Sequence, residues 1–463
     1  MSAQIFYYDI GDYLSREQKL KIISDFKSMA NLPFVNITPN EHGDWISQRN
    51  DKFSTWIPIE SDEKLNQLNQ SCFIAYSNGI VSSRDQWVYN SSTNVLIENV
   101  TKTINFYNSQ VSDFLKAKEM KSELSADEFK NNDSTKISWS SSLVPKLQAG
   151  KKCTIEEKEV YTSIYRPFFK QHYYFGEMFT HRRALWDIFI PNKNIKNKFI
   201  TLTGKSARGF SVLMTDTFAD MGVNNFMNGG TQCFPLYWYE EIKADQGSLF
   251  DSADGTKYIK HEAISDFILD RARTKYGNKV SKEDIFYYVY GILHSKSYRE
   301  TFSADLKKML PRLPLVSDYQ KFFAFADAGR KLAELHLNYE DIAPCSDVVV
   351  TGADKNDFVV TQMKFVKKGE KHTIIYNDKI TLSNIPQKAY DYVVNGKSAI
   401  EWIMERYAIT TDKKSGIVNN PNDWAKEHEK PRYILDLLLS MINVSVQTVD
   451  IVNALPEVDW DKE

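Results

Sequence analysis

Cysteine is scarce in this chain, and the little there is builds no framework. Cys72, Cys153, Cys233 and Cys345 lie far apart and form no CxxC pair. That spacing excludes a disulfide scaffold and leaves four buried thiols in a reducing cytoplasm as the expectation. An excess of charge of one sign is missing too. Lys and Arg number 58 against 60 Asp and Glu, a formal net charge of −2. A protein that coats nucleic acid by bulk charge would be far more basic, so any DNA contact must be local. No run of about 18 apolar residues occurs, so no membrane span is expected. Met1 to Asp12 has no basic region followed by an apolar run, so no secretory leader is expected either. Internal repeats and low-complexity tracts are lacking.

Signatures of catalysis are equally thin. Thr203-Gly-Lys-Ser206 ends like a phosphate-binding loop, but Phe199 stands where that loop needs its first glycine. Asn420-Pro-Asn-Asp-Trp424 has one proline and no aromatic where an adenine-methylating loop would stack its base, and it reads as a turn. The eight histidines form no HxH, HExxH or mixed His/Cys spacing, so no metal site is supported. His294, beside an apolar helix face, reads as a structural residue rather than a base. No GxSxG elbow is present. Nothing brings Glu156-Glu157 or Glu240-Glu241 to a common cleft. No catalytic residue, no cofactor and no metal is therefore expected in this chain.

What is present suits a folded protein of two or three domains: 463 residues, 42% hydrophobic, 25% charged and 13% aromatic. Gln4 to Ile10 reads as a strand without a neighbour, as if it closed a larger sheet absent from this chain. Leu96, Val100, Ile104, Tyr107, Val111 and Phe114 recur at helical spacing and predict an amphipathic helix over 94–115. The polar stretch Ser122 to Ser142 suggests a soft boundary. From Tyr161 to Glu240, aromatic and β-branched clusters between Gly, Asn and Pro predict irregular strands with long loops. Helices return at Glu283, with a break at Ser295-Lys-Ser297, and at Ser317-Asp-Tyr-Gln320, which reads as a capping box. Strands are expected within Val348 to Leu382, and a last helix after Pro431. The fold class is mixed α+β without the regular alternation of a doubly wound sheet: a helical N-terminal connector, then an irregular β-rich domain with packed helices.

One segment carries most of the local charge. Between Arg166 and Arg208 nine Lys and Arg stand against Glu177 and Asp187, a surplus of seven in a nearly neutral chain. Phe168, Phe169, Tyr173, Tyr174, Phe175, Phe179 and Trp186 interleave with them. Such cations can neutralise phosphates, and arginine can fork onto a guanine edge. The alternative is a solvated loop face whose acidic partners come from elsewhere in the fold. Charge and loop position single out Arg182, Arg183, Lys205 and Arg208 for DNA contact, with Lys170 behind them.

Several stretches, taken in order, resemble the C-terminal region of Type ISP single-polypeptide restriction–modification enzymes. They include Gly11-Asp-Tyr-Leu-Ser-Arg-Glu-Gln-Lys-Leu20, His42-Gly-Asp-Trp45 with Gln48-Arg49, and Ser77-Asn-Gly-Ile-Val-Ser-Ser-Arg-Asp-Gln-Trp-Val-Tyr-Asn90. Tyr165-Arg-Pro-Phe168, Gln232-Cys-Phe-Pro-Leu-Tyr237, Tyr288-Val-Tyr-Gly-Ile-Leu-His-Ser-Lys-Ser-Tyr-Arg299 and Leu310-Pro-Arg-Leu-Pro314 follow. Ala328-Gly-Arg-Lys-Leu-Ala-Glu-Leu-His336 and Pro431-Arg-Tyr-Ile-Leu-Asp436 complete the series. Each match is short, and their collinear order makes the resemblance specific. It implies a target-recognition domain over 94–463, with 1–93 as the last methyltransferase strand and its helical connector. The implied partners are double-stranded DNA and a methyltransferase domain. S-adenosylmethionine, ATP and Mg are implied only for the nuclease, motor and methyltransferase that this sequence lacks, as a fragment, split-gene product or isolated domain would. Two rival expectations remain: an assembly module that docks on the methyltransferase without touching DNA, and a stand-alone adenine methyltransferase.

Overall fold

The computed structural model describes residues 4–11, 14–60, 70–207, 209–224, 229–242, 258–367 and 369–463. Two compact units divide after Thr55. In the first, Ser15 opens the helix Arg16–Asp25 with a capping box: its hydroxyl accepts from the Gln18 amide, and the Gln18 side chain accepts from the Ser15 amide. The N-terminal strand is shorter than expected, Ile5–Tyr7, and it has a neighbour. Ile5 faces Ile37 and Tyr7 faces Val35 in an antiparallel pair. The chain returns to it past the helix and a 3-10 turn at Met29–Asn31, a reversal that local patterning does not reveal. His42-Gly-Asp-Trp45 and Arg49 meet through the buried Asp44 carboxylate, which accepts from the Arg49 Nε at 2.8 Å.

The second unit, residues 56–463, is a mixed α+β body. Its main helices are α1 (Thr93–Met120), α2 (Lys282–His294), α3 (Tyr319–Leu337), α4 (Ala399–Arg406) and α5 (Tyr433–Asn453). All six apolar positions predicted for α1 are buried. The α3 cap is Asp318, one residue past the expected serine. Its carboxylate accepts from the Gln320 and Lys321 amides. Helices α2 and α3 cross at two glycines. A Cβ on Gly291 would lie 2.1 Å from the Phe325 carbonyl oxygen, and one on Gly329 would lie 1.9 Å from that of Tyr287. Helix α5 is long and apolar enough to cross a membrane by length and composition, but 67% of that stretch is buried inside the protein. Leu437, Leu438, Met441 and Ile442 supply core here.

Eight strands make two four-stranded sheets: β1 (Ser77–Asn78), β2 (Tyr89–Asn90), β3 (Val160–Arg166), β4 (Phe169–Tyr174), β5 (Phe199–Thr203), β6 (Val212–Thr215), β7 (Phe218–Ala219) and β8 (Thr231–Pro235). One sheet runs β7-β3-β4-β2 and the other β1-β8-β5-β6. Only the β7–β3 pairing is parallel. Trp186 locks the sheets together, its ring 4.9 Å from Phe199 and 5.3 Å from Phe218. A further sheet pairs Val349–Thr351, Thr381–Ser383, Glu370–Ile375 and Lys364–Lys367 in that order.

Ser122 to Ser142 is stitched into the fold rather than forming a boundary. The buried Arg84 guanidinium donates to the Ser138 carbonyl at 3.3 Å and the Ser140 hydroxyl at 2.8 Å, and also to the Phe179 carbonyl. Burial pushes that guanidinium down to about 10. The thiol expectation holds for Cys72 and Cys233. Cys153 and Cys345 are half-buried, and all four are free.

His294 is structural. Its Nδ1 lies 2.8 Å from the Tyr290 carbonyl, and His336 bridges the Tyr290 and Thr448 hydroxyls. Burial holds His294 well below the usual imidazole range and His336 down at about 3. The unfolded chain protonates both below about pH 6.5, so each should remove ~1.4 kcal/mol per pH unit on acidification. Burial raises Asp220 to about 7, so the folded state binds its proton first and that carboxyl offsets one imidazole. These three groups together should contribute a loss of about 1.4 kcal/mol per unit between pH 6 and 5, read from urea midpoints. A flat profile would mean that the folded state protonates these rings.

Candidate nucleic-acid interface

Backbone groups, not side chains, build an open groove in the β-rich body. The segment after β1 runs between two neighbours: Gly79 donates to the Thr231 carbonyl at 2.9 Å and Ile80 to that of Ala219 at 2.8 Å. Met221 donates back to Ile80 at 3.0 Å, and Arg182 to Val81 at 3.0 Å. The turn after β5 joins the same edge, where the Gly204 amide donates to Gly230 at 2.9 Å. Close approach explains the glycines. A Cβ on Gly79 would lie 2.7 Å from the Asp220 carbonyl oxygen, and one on Gly204 would lie 2.0 Å from that of Gly229. Ile80 to Ser83, Met221, Gly222, Gly229 and Gly230 line a space of about 450 Å³.

Asp85, Arg166 and Asp220 line the groove as well and form a charge network at its floor. Arg166 at the end of β3 pairs with Asp220 at 2.6 Å, and its guanidinium packs on Gly222, where a Cβ would lie 2.9 Å away. Asp85 accepts from the Tyr165 hydroxyl at 3.1 Å and from the Ser82 hydroxyl. Burial, then the neighbouring Asp85, raises the Asp220 carboxyl to about 7. This network holds the groove floor in one arrangement, since its charges are satisfied only in that register.

The five cations chosen from sequence do not form one patch. Arg182 is exposed at the groove edge, and no carboxylate among the described residues lies within 4 Å of its guanidinium. Arg183, its neighbour, turns inward. It stacks over Phe175 at 3.5 Å, donates to the Phe175 carbonyl at 2.6 Å and pairs with Asp187. Lys205 lies on the turn beside the groove and pairs with Glu60 at 2.9 Å. Lys170 pairs with Glu340 and lines a separate cleft of about 860 Å³, together with Tyr161, Lys193, Lys196 and Lys430. Arg208 lies outside the described residues. Three of the five chosen cations thus find carboxylates supplied by other parts of the chain or one helical turn away.

The sequence profile of the Type ISP C-terminal specificity domain matches residues 71–437. The chain belongs to the Type ISP C-terminal specificity domain family. No curated protein matches it. Solved structures similar to this specificity domain include a nuclease-deletion mutant of the Type ISP restriction-modification enzyme LlaGI in complex with a DNA substrate mimic. That chain is 36% identical, with a TM-score of 0.82 over 98% of this chain and 39% of its own. The ATP-dependent Type ISP enzyme LlaBIII bound to DNA is also 36% identical, with a TM-score of 0.82, over 98% of this chain and 28% of its own. A DrdV–DNA complex matches at 25% identity and a TM-score of 0.77, over 98% and 43%. The chain therefore spans less than half the length of each of these relatives.

Sequence reasoning missed the segment Gly79 to Ser83 and the pair Gly229-Gly230 as groove-builders of this specificity domain. Both carry a readable signal, a Ser-Asn-Gly turn and a Gly-Gly pair, but neither carries charge. A search for phosphate-binding cations passes over them. Only strand pairing brings 79, 182, 204, 220 and 230 to one edge.

Proposed function

We propose that this chain recognises a DNA target sequence for a Type ISP restriction–modification enzyme, positioning the duplex for a methyltransferase, an ATP-dependent motor and a nuclease carried outside it. The observation that supports this most is the 36% identity, over 98% of the chain, to two Type ISP enzymes captured with DNA or a DNA mimic. Residues 1–93 would link the recognition domain to the methyltransferase. S-adenosylmethionine, ATP and Mg would serve those other parts, and this chain alone would catalyse nothing. A cytoplasmic setting follows from such a role.

The groove is the surface offered to the duplex. Arg182 stands at its edge, exposed and with no carboxylate partner among the described residues, and such a guanidinium suits a phosphate or a base edge. Phosphate contacts would fix register while the loop side chains discriminate sequence, and the target adenine would flip into the methyltransferase pocket. The paired cations favour a second reading, an assembly module that leaves DNA alone, because a neutralised lysine releases no counterion.

Salt-dependent binding separates the two. Arg182→Ala should weaken duplex binding and flatten the slope of log K against log salt by about 0.9, because one phosphate is no longer neutralised by the protein. Arg183→Ala should instead lower stability, because it removes the stack on Phe175 and the Asp187 pair, with the slope of the folded fraction unchanged. Fluorescence anisotropy from low to moderate salt measures both. A wild-type chain with no salt-dependent binding would sink the DNA reading.

A further inference from the structure

The turn at Gly204–Ala207 is fastened to an element a hundred residues away. Its Ser206 amide donates to the Lys307 carbonyl at 2.9 Å, at the end of the short helix Ser303–Lys308. The chain then enters the strand Arg312–Leu313, which pairs with Ile57–Pro58, and the Ile59 amide closes on the Pro311 carbonyl at 3.0 Å. The next residue is Glu60, whose carboxylate reaches Lys205 at 2.9 Å. Three segments remote in sequence thus meet beside the groove wall formed by Gly204, Gly229 and Gly230. Lys205 is 57% exposed and Glu60 only 16%, so the carboxylate is the anchored partner and the lysine the mobile one. Lys307 is exposed, and among the described residues no carboxylate lies within 4 Å of its ammonium.

We propose that Lys205 and Lys307 form a two-lysine arm that grips DNA phosphates beside the groove, with Glu60 holding Lys205 until a phosphate replaces it. The proposal rests on the DNA-recognition reading above and adds to it residues from outside the cationic segment. The exchange is physically easy. A solvent-facing lysine–carboxylate pair contributes little, because water screens it and two side chains must be ordered to make it. A phosphate offers the same lysine an equivalent partner and releases a condensed counterion. Glu60, left without its lysine, faces the incoming anion and reduces the net gain. Among the described residues Lys307 has no such competitor. Its partner on the turn is a backbone bond, which fixes where the side chain starts and leaves its charge free.

The test uses the full chain and a mixed-sequence duplex, because phosphate contacts do not depend on base identity. Lys307→Ala should flatten the salt slope by about 0.9, and Lys205→Ala with Lys307→Ala by about 1.8. Lys307→Arg should restore the slope, which a merely structural role would not require. Glu60→Gln should tighten binding by up to about five-fold at low salt, and this gain should vanish when Lys205 is already alanine. Circular dichroism and urea midpoints show that each variant folds. If Lys307→Ala leaves the slope unchanged while Arg182→Ala flattens it, the arm is refuted and the groove reading stands. If Glu60→Gln binds like the wild type, the restraint on Lys205 is refuted. A wild-type chain without salt-dependent binding overturns the arm together with the reading on which it rests.

Discussion

Gly329→Ala should destabilise the second unit by about 3 kcal/mol. Helices α2 and α3 approach so closely that the added methyl carbon would start 1.9 Å from the Tyr287 carbonyl oxygen, a backbone atom that cannot swing aside as a flexible side chain could. The helices must separate, and the packing of Tyr288 on Phe322 (4.5 Å between ring centroids) loosens with them. The symmetric change Gly291→Ala, facing the Phe325 carbonyl at 2.1 Å, should cost a similar amount. Both residues sit at the same crossing, so the double variant should lose clearly less than the sum. Urea midpoints measure this. A Gly329→Ala chain within 0.5 kcal/mol of the wild type, by the ordinary scatter of surface changes, would mean that the two helices can part at almost no cost.

Arg166→Met should be of the same order, and its size should depend on pH. The substitution preserves volume but leaves Asp220 buried at the groove floor without its cation, a loss of about 3–5 kcal/mol for a severed buried pair. The carboxyl already titrates near 7 with Arg166 in place, and removing the arginine can only raise it further. The folded variant therefore holds a neutral acid up to a higher pH than the wild type does. The penalty should grow with pH above 7, so that it is larger at pH 8 than at pH 6, and level off below 7, where both folded chains hold a neutral acid. Asp220→Asn combined with Arg166→Met should recover part of the loss at pH 8. A penalty equal at both pH values would show that Asp220 is not the group left exposed to low dielectric. Because the pair lines the groove floor with Ser82 and Gly222, DNA affinity should fall with stability in the single variant and recover in the double.

The amphipathic helix over Leu96 to Phe114 was legible because its six apolar positions repeat at 3.6 residues, and burial of that stripe is what stabilises such a helix. The same holds for α2, α3 and α5. Strand existence was readable in Phe199 to Thr203, whose five residues are all buried, but strand partners were not. A strand at Ile5–Tyr7 finds Val35–Ile37 only because the intervening helix turns the chain back. The polar run Ser122 to Ser142 looked like a separator because its composition is that of a loop. It serves instead as acceptor for the buried Arg84, which lies 54 and 56 residues before Ser138 and Ser140.

The amino-acid sequence by itself determined the fold class, the helices with a continuous apolar face, the local surplus of cations and the collinear motifs that identify the family. Each of these depends on residues near one another along the chain or on their order. The tertiary structure decided which charges are free. Lys170, Arg183 and Lys205 look alike in composition, yet Glu340, Asp187 and Glu60 neutralise them, and Arg182 alone among the described candidates has no carboxylate partner. The groove was likewise beyond sequence, because hydrogen bonds between segments as far apart as Gly79 and Thr231 assemble it. Coulombic pairing acts over a few ångströms in space and takes no account of distance along the chain.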